Sequence, residues 1–201
     1  DLNFAVNFKW RASRMFTLTG GADAKVNRTE YYQRMDDLLG GDYFYNMDSF
    51  AERDYAAFPY MTQNDLTYWL EHGQAQKIHV GDKYGYDYYA NVRKVNGWLS
   101  GKVTLGPFEL TAGGRVGRTS FWRHGLNRKG LFPGLSDDGT PFVIGGMNVT
   151  TYDHEGNAIT SYGKSKVLSF LEYAGKVNLN YVIPGGHRIY ANAGYFNDAP
   201  N

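Results

Sequence analysis

The five histidines, His72, His79, His124, His154 and His187, are the side chains best suited to acid–base or metal chemistry, and their spacing serves neither. They form no HExxH pair or equivalent metal-ligand pattern. The carboxylate pairs Asp36-Asp37 and Asp137-Asp138 stand beside glycine-containing turns, where solvated loop residues are the ordinary reading. A calcium ion at Asp137, Asp138 or Asp153 would have no EF-type ligand ladder behind it. Gly113-Gly114-Arg115-Val116-Gly117 lies inside a strand pattern and opens no helix, so it is not a phosphate loop. The chain has no cysteine, hence no thiol nucleophile, thiolate site or disulfide. The expectation is a protein without catalytic residues, metal or cofactor, and not an enzyme.

Binding chemistry is better represented. The segment containing Tyr43, Phe44, Tyr45, Tyr60, Tyr68 and Trp69 is rich in rings that can stack on sugars or planar chelates, or else pack a small core that keeps a long loop folded. Trp122-Arg123-His124 lies where a strand passes into a second long loop. There it reads either as a ligand clamp or as an interfacial aromatic followed by basic groups for lipopolysaccharide phosphates. The ligand-binding candidates are therefore Tyr43, Tyr45, Tyr60, Trp69, Trp122, Arg123 and His124. Trp10, before a short turn, reads as a girdle residue at the other end.

These residues are positioned by strands. Residues Leu2, Phe4, Val6, Phe8 and Trp10 alternate with Asn3, Ala5, Asn7 and Lys9, and alternation resumes from Phe16 to Asn27 after a short polar connection. Two more hairpins follow, one turning at Gly106-Pro107 and one at Ile183-Pro184-Gly185-Gly186. Six long strands emerge, with excursions at about 28–82 and 123–164 that carry short helices; Tyr31–Met35 and Asp65–Leu70 are the helical clusters, and Asp153–Asn157 a small loop hairpin. The composition agrees: 33 aromatic residues and 25 glycines among 201 suit tightly turned β-structure, and 42% hydrophobic residues exclude disorder. A net charge of +1 argues against a nucleic-acid binder built on bulk positive charge.

The connections are sorted by length, short on one rim and long on the other, as in a transmembrane β-barrel with short periplasmic turns and long extracellular loops. One face of each strand is aliphatic and aromatic. The other includes Lys9, Asp23, Lys25, Lys102, Glu109, Arg115, Glu172, Lys176 and Arg188, costly in a dry core and tolerable in a wet lumen. The third strand breaks the pattern: its apolar set is even-numbered at Tyr86, Tyr88, Ala90 and Val92, then odd-numbered at Val95, Leu99, Val103 and Leu105. Either a bulge near Arg93–Asn96 shifts the register, or the upper half stands clear of the membrane and obeys other rules; the second is preferred.

Three stretches resemble the β-barrel of TonB-dependent outer-membrane receptors, particularly of Bacteroidota. They are Asn96-Gly97-Trp98-Leu99, Ser120-Phe121-Trp122-Arg123-His124-Gly125 with Asn127-Arg128-Lys129-Gly130, and His187 to Tyr195 with Ala199-Pro200. The resemblance covers about two thirds of the chain, mostly strands, in diffuse patterns. It implies a plugged barrel of about 22 strands in the outer membrane of a Gram-negative bacterium. Such a barrel imports a siderophore, cobalamin or glycan with energy relayed by TonB. The partners implied are TonB acting through a plug that this chain lacks, outer-membrane lipid and lipopolysaccharide, the ligand, and a surface lipoprotein. The fold class expected is all-β, an antiparallel up-and-down barrel segment read as an interior piece of a receptor. The glycines of 113–117 would then let strands bend and the plug approach. The alternative is a soluble secreted β-sandwich carbohydrate-binding module, with apolar faces packed on one another. A β-rich glycosidase would need two carboxylates at set separation in a cleft, which a sequence does not display.

Overall fold

The computed structural model describes residues 1–199; Pro200, part of the closing stretch quoted above, lies outside them. Strands account for 58% of the chain and helices for 7%, an all-β, mostly antiparallel protein. In chain order the elements are β1 (Leu2–Arg11), β2 (Phe16–Arg34), β3 (Phe44–Tyr45), α1 (Ser49–Tyr55), α2 (Leu66–His72), β4 (Lys77–Ile78), β5 (Lys83–Leu105), β6 (Phe108–Gly125), β7 (Val143–Ile144), β8 (Met147–Asn148), β9 (Gly163–Lys164), β10 (Leu168–Ile183) and β11 (His187–Asn197). The six long strands lie in one sheet in the order β1-β2-β5-β6-β10-β11, each beside its predecessor in the chain. The sheet is open, with β1 and β11 at its edges.

Two compact units divide the chain. The first comprises Asp1–Asn27, Val92–Phe121 and the described residues from Val167 onward; the second comprises Arg28–Asn91 and Trp122–Lys166.

In the first unit the registers keep apolar residues opposite apolar residues. Phe8 faces Gly20 and Trp10 faces Leu18 across β1 and β2. Val177 lies between Ala112 and Ala193, and Tyr181 between Phe108 and Ile189. Because side chains alternate across a strand, these pairs share one face and the polar pairs Asn178–Thr111 and Asn180–Glu109 the other. Phe8, Leu110, Val177 and Ile189 are 50%, 42%, 48% and 60% exposed, so no dry interior covers the apolar face. Among the described residues of this unit the buried ones are Gly20, Asn96, Gly117 and Glu172, none with an apolar side chain. Lys94 pairs with Glu172 at 2.8 Å and Lys102 with Glu109 at 2.7 Å; Asn96 donates to Asp23 at 3.0 Å, and Arg115 pairs with Asp198.

No bulge shifts the register of β5 against β6 near Arg93–Asn96. An added Cβ on Gly117 would meet Asn96, and one on Gly113 would meet Ser100, four residues on in each strand. Nine residues the other way, the Leu126 N–H donates to the Asp87 carbonyl, so the count stays equal on both strands. The apolar set changes face because β5 enters the second unit at Asn91, where loop segments rather than one sheet decide what is buried.

The second unit has a small core of Ala51, Leu66 and Ile78, all at most 1% exposed, with buried Asn46, Thr62, Gln63, Asn64, Arg128 and Ser161. Asp65 caps α2 by accepting the Tyr68 N–H at 3.0 Å, and Gly73 ends it in the left-handed conformation, which glycine adopts without strain. α1 begins at Asp48, whose side chain accepts from Phe50 and Ala51. The helix expected at Tyr31–Met35 is instead strand: β2 runs on to Arg34. Tyr31 and Tyr32 then point to opposite faces, and Tyr31 stacks on Tyr88, a gain no local helix would supply. The loop hairpin at Asp153–Asn157 is present, closed by the Asp153 N–H donating to the Asn157 carbonyl at 2.9 Å.

Candidate functional site

All seven sequence-selected binding residues fall in the second unit. Tyr45 of β3 and Tyr43 just before that strand meet, their rings edge to face at 5.2 Å and their hydroxyls 3.5 Å apart. That hydrogen bond raises the Tyr45 hydroxyl above its ordinary range. Lys77 of β4 stands 4.2 Å over the Tyr43 ring. A groove of about 560 Å³ runs past them, bordered by Asp42, Met47, Ser49 and Glu52. Both tyrosines are exposed, so they are not the loop's core; Leu66, Ile78 and Ala51 are. Tyr60 packs on Phe58 at 6.1 Å, and Trp69 is half-buried in α2, where its carbonyl accepts the capping N–H of Gly73.

The pleat of β6 puts Arg123 on one face and Trp122 with His124 on the other. Trp122 carries Lys164 5.3 Å over its ring, and His124 pairs through its backbone with Lys164 of β9. Arg123 alone reaches a tyrosine cluster: its guanidinium lies 4.6 Å over Tyr88 and donates to the Ser161 carbonyl at 2.9 Å. Burial pushes the Arg123 guanidinium below its usual range.

The structure adds Tyr31, Tyr86 and Tyr88 to the candidates. Tyr31 of β2 stacks on Tyr88 of β5 at 5.5 Å and 19°, and Tyr86 lies 5.8 Å from Tyr88. Tyr31 and Tyr86 are 48% and 38% exposed. Gly85, at φ +73°, seats the cluster by giving its N–H to the buried Asn46 side chain at 2.8 Å. The available sequence signal was Tyr86-x-Tyr88, whose spacing of two puts both rings on one face of a strand; Tyr31 had no local signal pointing to them.

Elsewhere in the unit, Lys83 bridges Glu30 and Asp87, the latter at 2.9 Å, which lowers the Glu30 carboxyl and raises the Lys83 ammonium from their ordinary values. Asp153 accepts N–H groups from Asn157 and Glu155, which lower its carboxyl. Among the described residues no group of three or more His, Asp or Glu is placed to hold a metal ion.

Charge is segregated between the units. The second has 10 Lys and Arg against 15 Asp and Glu, net −5; the first has the remaining 11 and 5, net +6. The weak overall charge of +1 therefore conceals an acidic unit bearing the exposed rings and a basic unit of strands. The arrangement suits noncovalent capture by stacking and hydrogen bonding. No family model, curated protein or solved structure matches this chain.

Proposed function

We propose that this chain is part of the β-barrel of an outer-membrane receptor that binds a scarce nutrient, a siderophore, cobalamin or glycan, and imports it with energy from TonB. The observation that carries the reading is the uncovered apolar face of the first unit. Phe4, Val6, Phe8, Val177 and Ile189 are each about half exposed or more, while the reverse face holds ion pairs and a buried Glu172. In water such a face is a liability; in hydrocarbon it needs no protein partner. The strand lengths support the same reading, since β2 and β5 have 19 and 23 residues where about 9–11 cross a bilayer.

On this reading the outer face meets lipid and the polar face meets a plug. Lys9, Lys25, Lys176 and Arg188 on that face have no ion-pair partner among the described residues and would receive acidic groups from it. Further strands would add at β1 and β11, whose edges are otherwise aggregation-prone. Trp10, exposed beside the short turn into β2, would sit at the periplasmic interface. The loop unit would gather ligand at the outer surface, alone or with a surface lipoprotein, without covalent chemistry. The secreted sandwich would require the six strands to split into two stacked sheets, and they lie in one.

The test is fractionation of the full-length natural protein. It is expected in carbonate-washed outer membranes, extractable only with detergent, and slower on gels after heating. Recovery in the aqueous phase without detergent would overturn the proposal.

A further inference from the structure

We infer that Tyr31, Tyr86 and Tyr88 form a stacking platform for an uncharged saccharide, which selects glycan among the ligand classes left open above and rests on that reading. Three features of the cluster converge on this chemistry. Tyr88 stacks on Tyr31 within 19° of parallel and holds that ring in place, while Tyr31 and Tyr86 keep open aromatic surface for a visitor. The C–H face of a pyranose packs on such area, and each aromatic contact brings its burial at little conformational cost. The three hydroxyls accept and donate no protein hydrogen bond among the described residues, leaving them for sugar hydroxyls.

Charge decides against the other classes. The unit holding the platform is net −5, which repels a polyanionic chelate. Among the described residues the cation over these rings is Arg123, which lies above Tyr88 with one nitrogen already donating to Ser161. That guanidinium in turn disfavours a cationic guest on the same ring. A neutral, hydroxyl-rich ligand is penalised by neither.

The experiment uses the full-length protein purified in detergent and titrated calorimetrically with the neutral hexasaccharides of β-1,4-glucose, α-1,4-glucose, β-1,4-mannose and β-1,4-xylose, beside ferric tris-catecholate and cyanocobalamin. At least one hexasaccharide is expected to bind, with affinity little changed between about 0.05 and 0.5 M salt, as for uncharged partners. Tyr31→Ala and Tyr86→Ala should each weaken binding about tenfold, the loss of one stacking contact. Tyr88→Phe, which keeps the ring, should cost less than either. Tyr31 and Tyr86 are partly exposed, so their variants are expected to fold, and an unchanged thermal midpoint verifies it. Binding of none of the four saccharides, saccharide binding indifferent to Tyr31→Ala and Tyr86→Ala, or ring-dependent binding of the ferric chelate instead would each overturn the inference. Ring-dependent saccharide binding by a protein that needs no detergent would uphold the platform and defeat the receptor reading.

Discussion

Glu172 of β10 and Lys94 of β5 meet across the intervening strand β6, their charged atoms 2.8 Å apart, and Gly117, the β6 partner of Glu172, puts no side chain beside them. Glu172 is only 2% exposed and also accepts the Thr119 hydroxyl at 2.6 Å, the most thoroughly buried charge on a sheet that is otherwise open.

Removing one partner strands the other. Glu172→Ala should destabilise the full-length protein by about 2 kcal/mol, below the 3–5 kcal/mol of a wholly buried pair because Lys94 keeps a third of its surface in contact with solvent. Thermal unfolding in detergent of Glu172→Ala, Lys94→Met and the double variant should give a coupling of about 1 kcal/mol or more; additive losses would mean the pair contributes nothing specific.

Glycines on the two faces should respond oppositely. A Cβ on Gly117 would overlap Asn96 Oδ1 and stand 2.9 Å from the Val95 carbonyl, whereas one on Gly175 meets nothing within 4 Å. Gly117→Ala should cost about 1–3 kcal/mol, and Gly175→Ala should be neutral or stabilising by up to about 1 kcal/mol. The same melting experiment reads both.

Neighbouring positions on β10 should differ in their tolerance of charge. Val177 lies on the apolar face and Asn178 on the polar one. If lipid covers the former, Val177→Arg should lower stability in the membrane by about 2–4 kcal/mol and reduce assembled protein in the outer-membrane fraction, while Asn178→Arg stays within about 0.5 kcal/mol of wild type. Equal tolerance at both sites would argue against a bilayer.

Arg128 holds the second loop from inside. Its guanidinium donates to the carbonyls of Pro133 and Leu135 at 2.7 and 2.8 Å and lies between the rings of Phe142 and Tyr162, both within 5 Å. Arg128→Ala should cost about 2–3 kcal/mol locally, seen as faster hydrogen exchange across residues 131–161. Arg128→Lys should fall between, because an ammonium can still donate to carbonyls but has no planar face to lay against the two rings.

The Lys83 bridge sets a pH window for the loop unit. Glu30 is held below its ordinary value of 4.5, so the stability it adds is present above that value and fades as pH falls through the depressed one. Lys83 is raised above its ordinary 10.5, so its contribution is present below that value and is lost only at still higher pH. Limited proteolysis of residues 36–82 should therefore be flat from about pH 5 to 10 and rise in acid. Lys83→Met should remove the acid limb.

Much of this protein was legible from its residues in order. Alternation along Leu2–Trp10 and Phe108–Gly117 specifies strands and assigns each side chain a face, because the pleat turns successive residues to opposite sides whatever the partner strand is. Glycine and proline turns at 106–107 and 183–186 placed two of the three hairpins, and the cluster Asp65–Leu70 marked the place of α2. What required tertiary structure is everything that depends on distant segments meeting: Tyr31 reaching Tyr88, Glu172 reaching Lys94 over a glycine, Arg128 taking carbonyls from a loop, and a nearly neutral chain sorting its charges into two unlike units. Periodicity is a property of one strand, whereas register and loop burial are set by the balance of contacts across the whole sheet and its excursions.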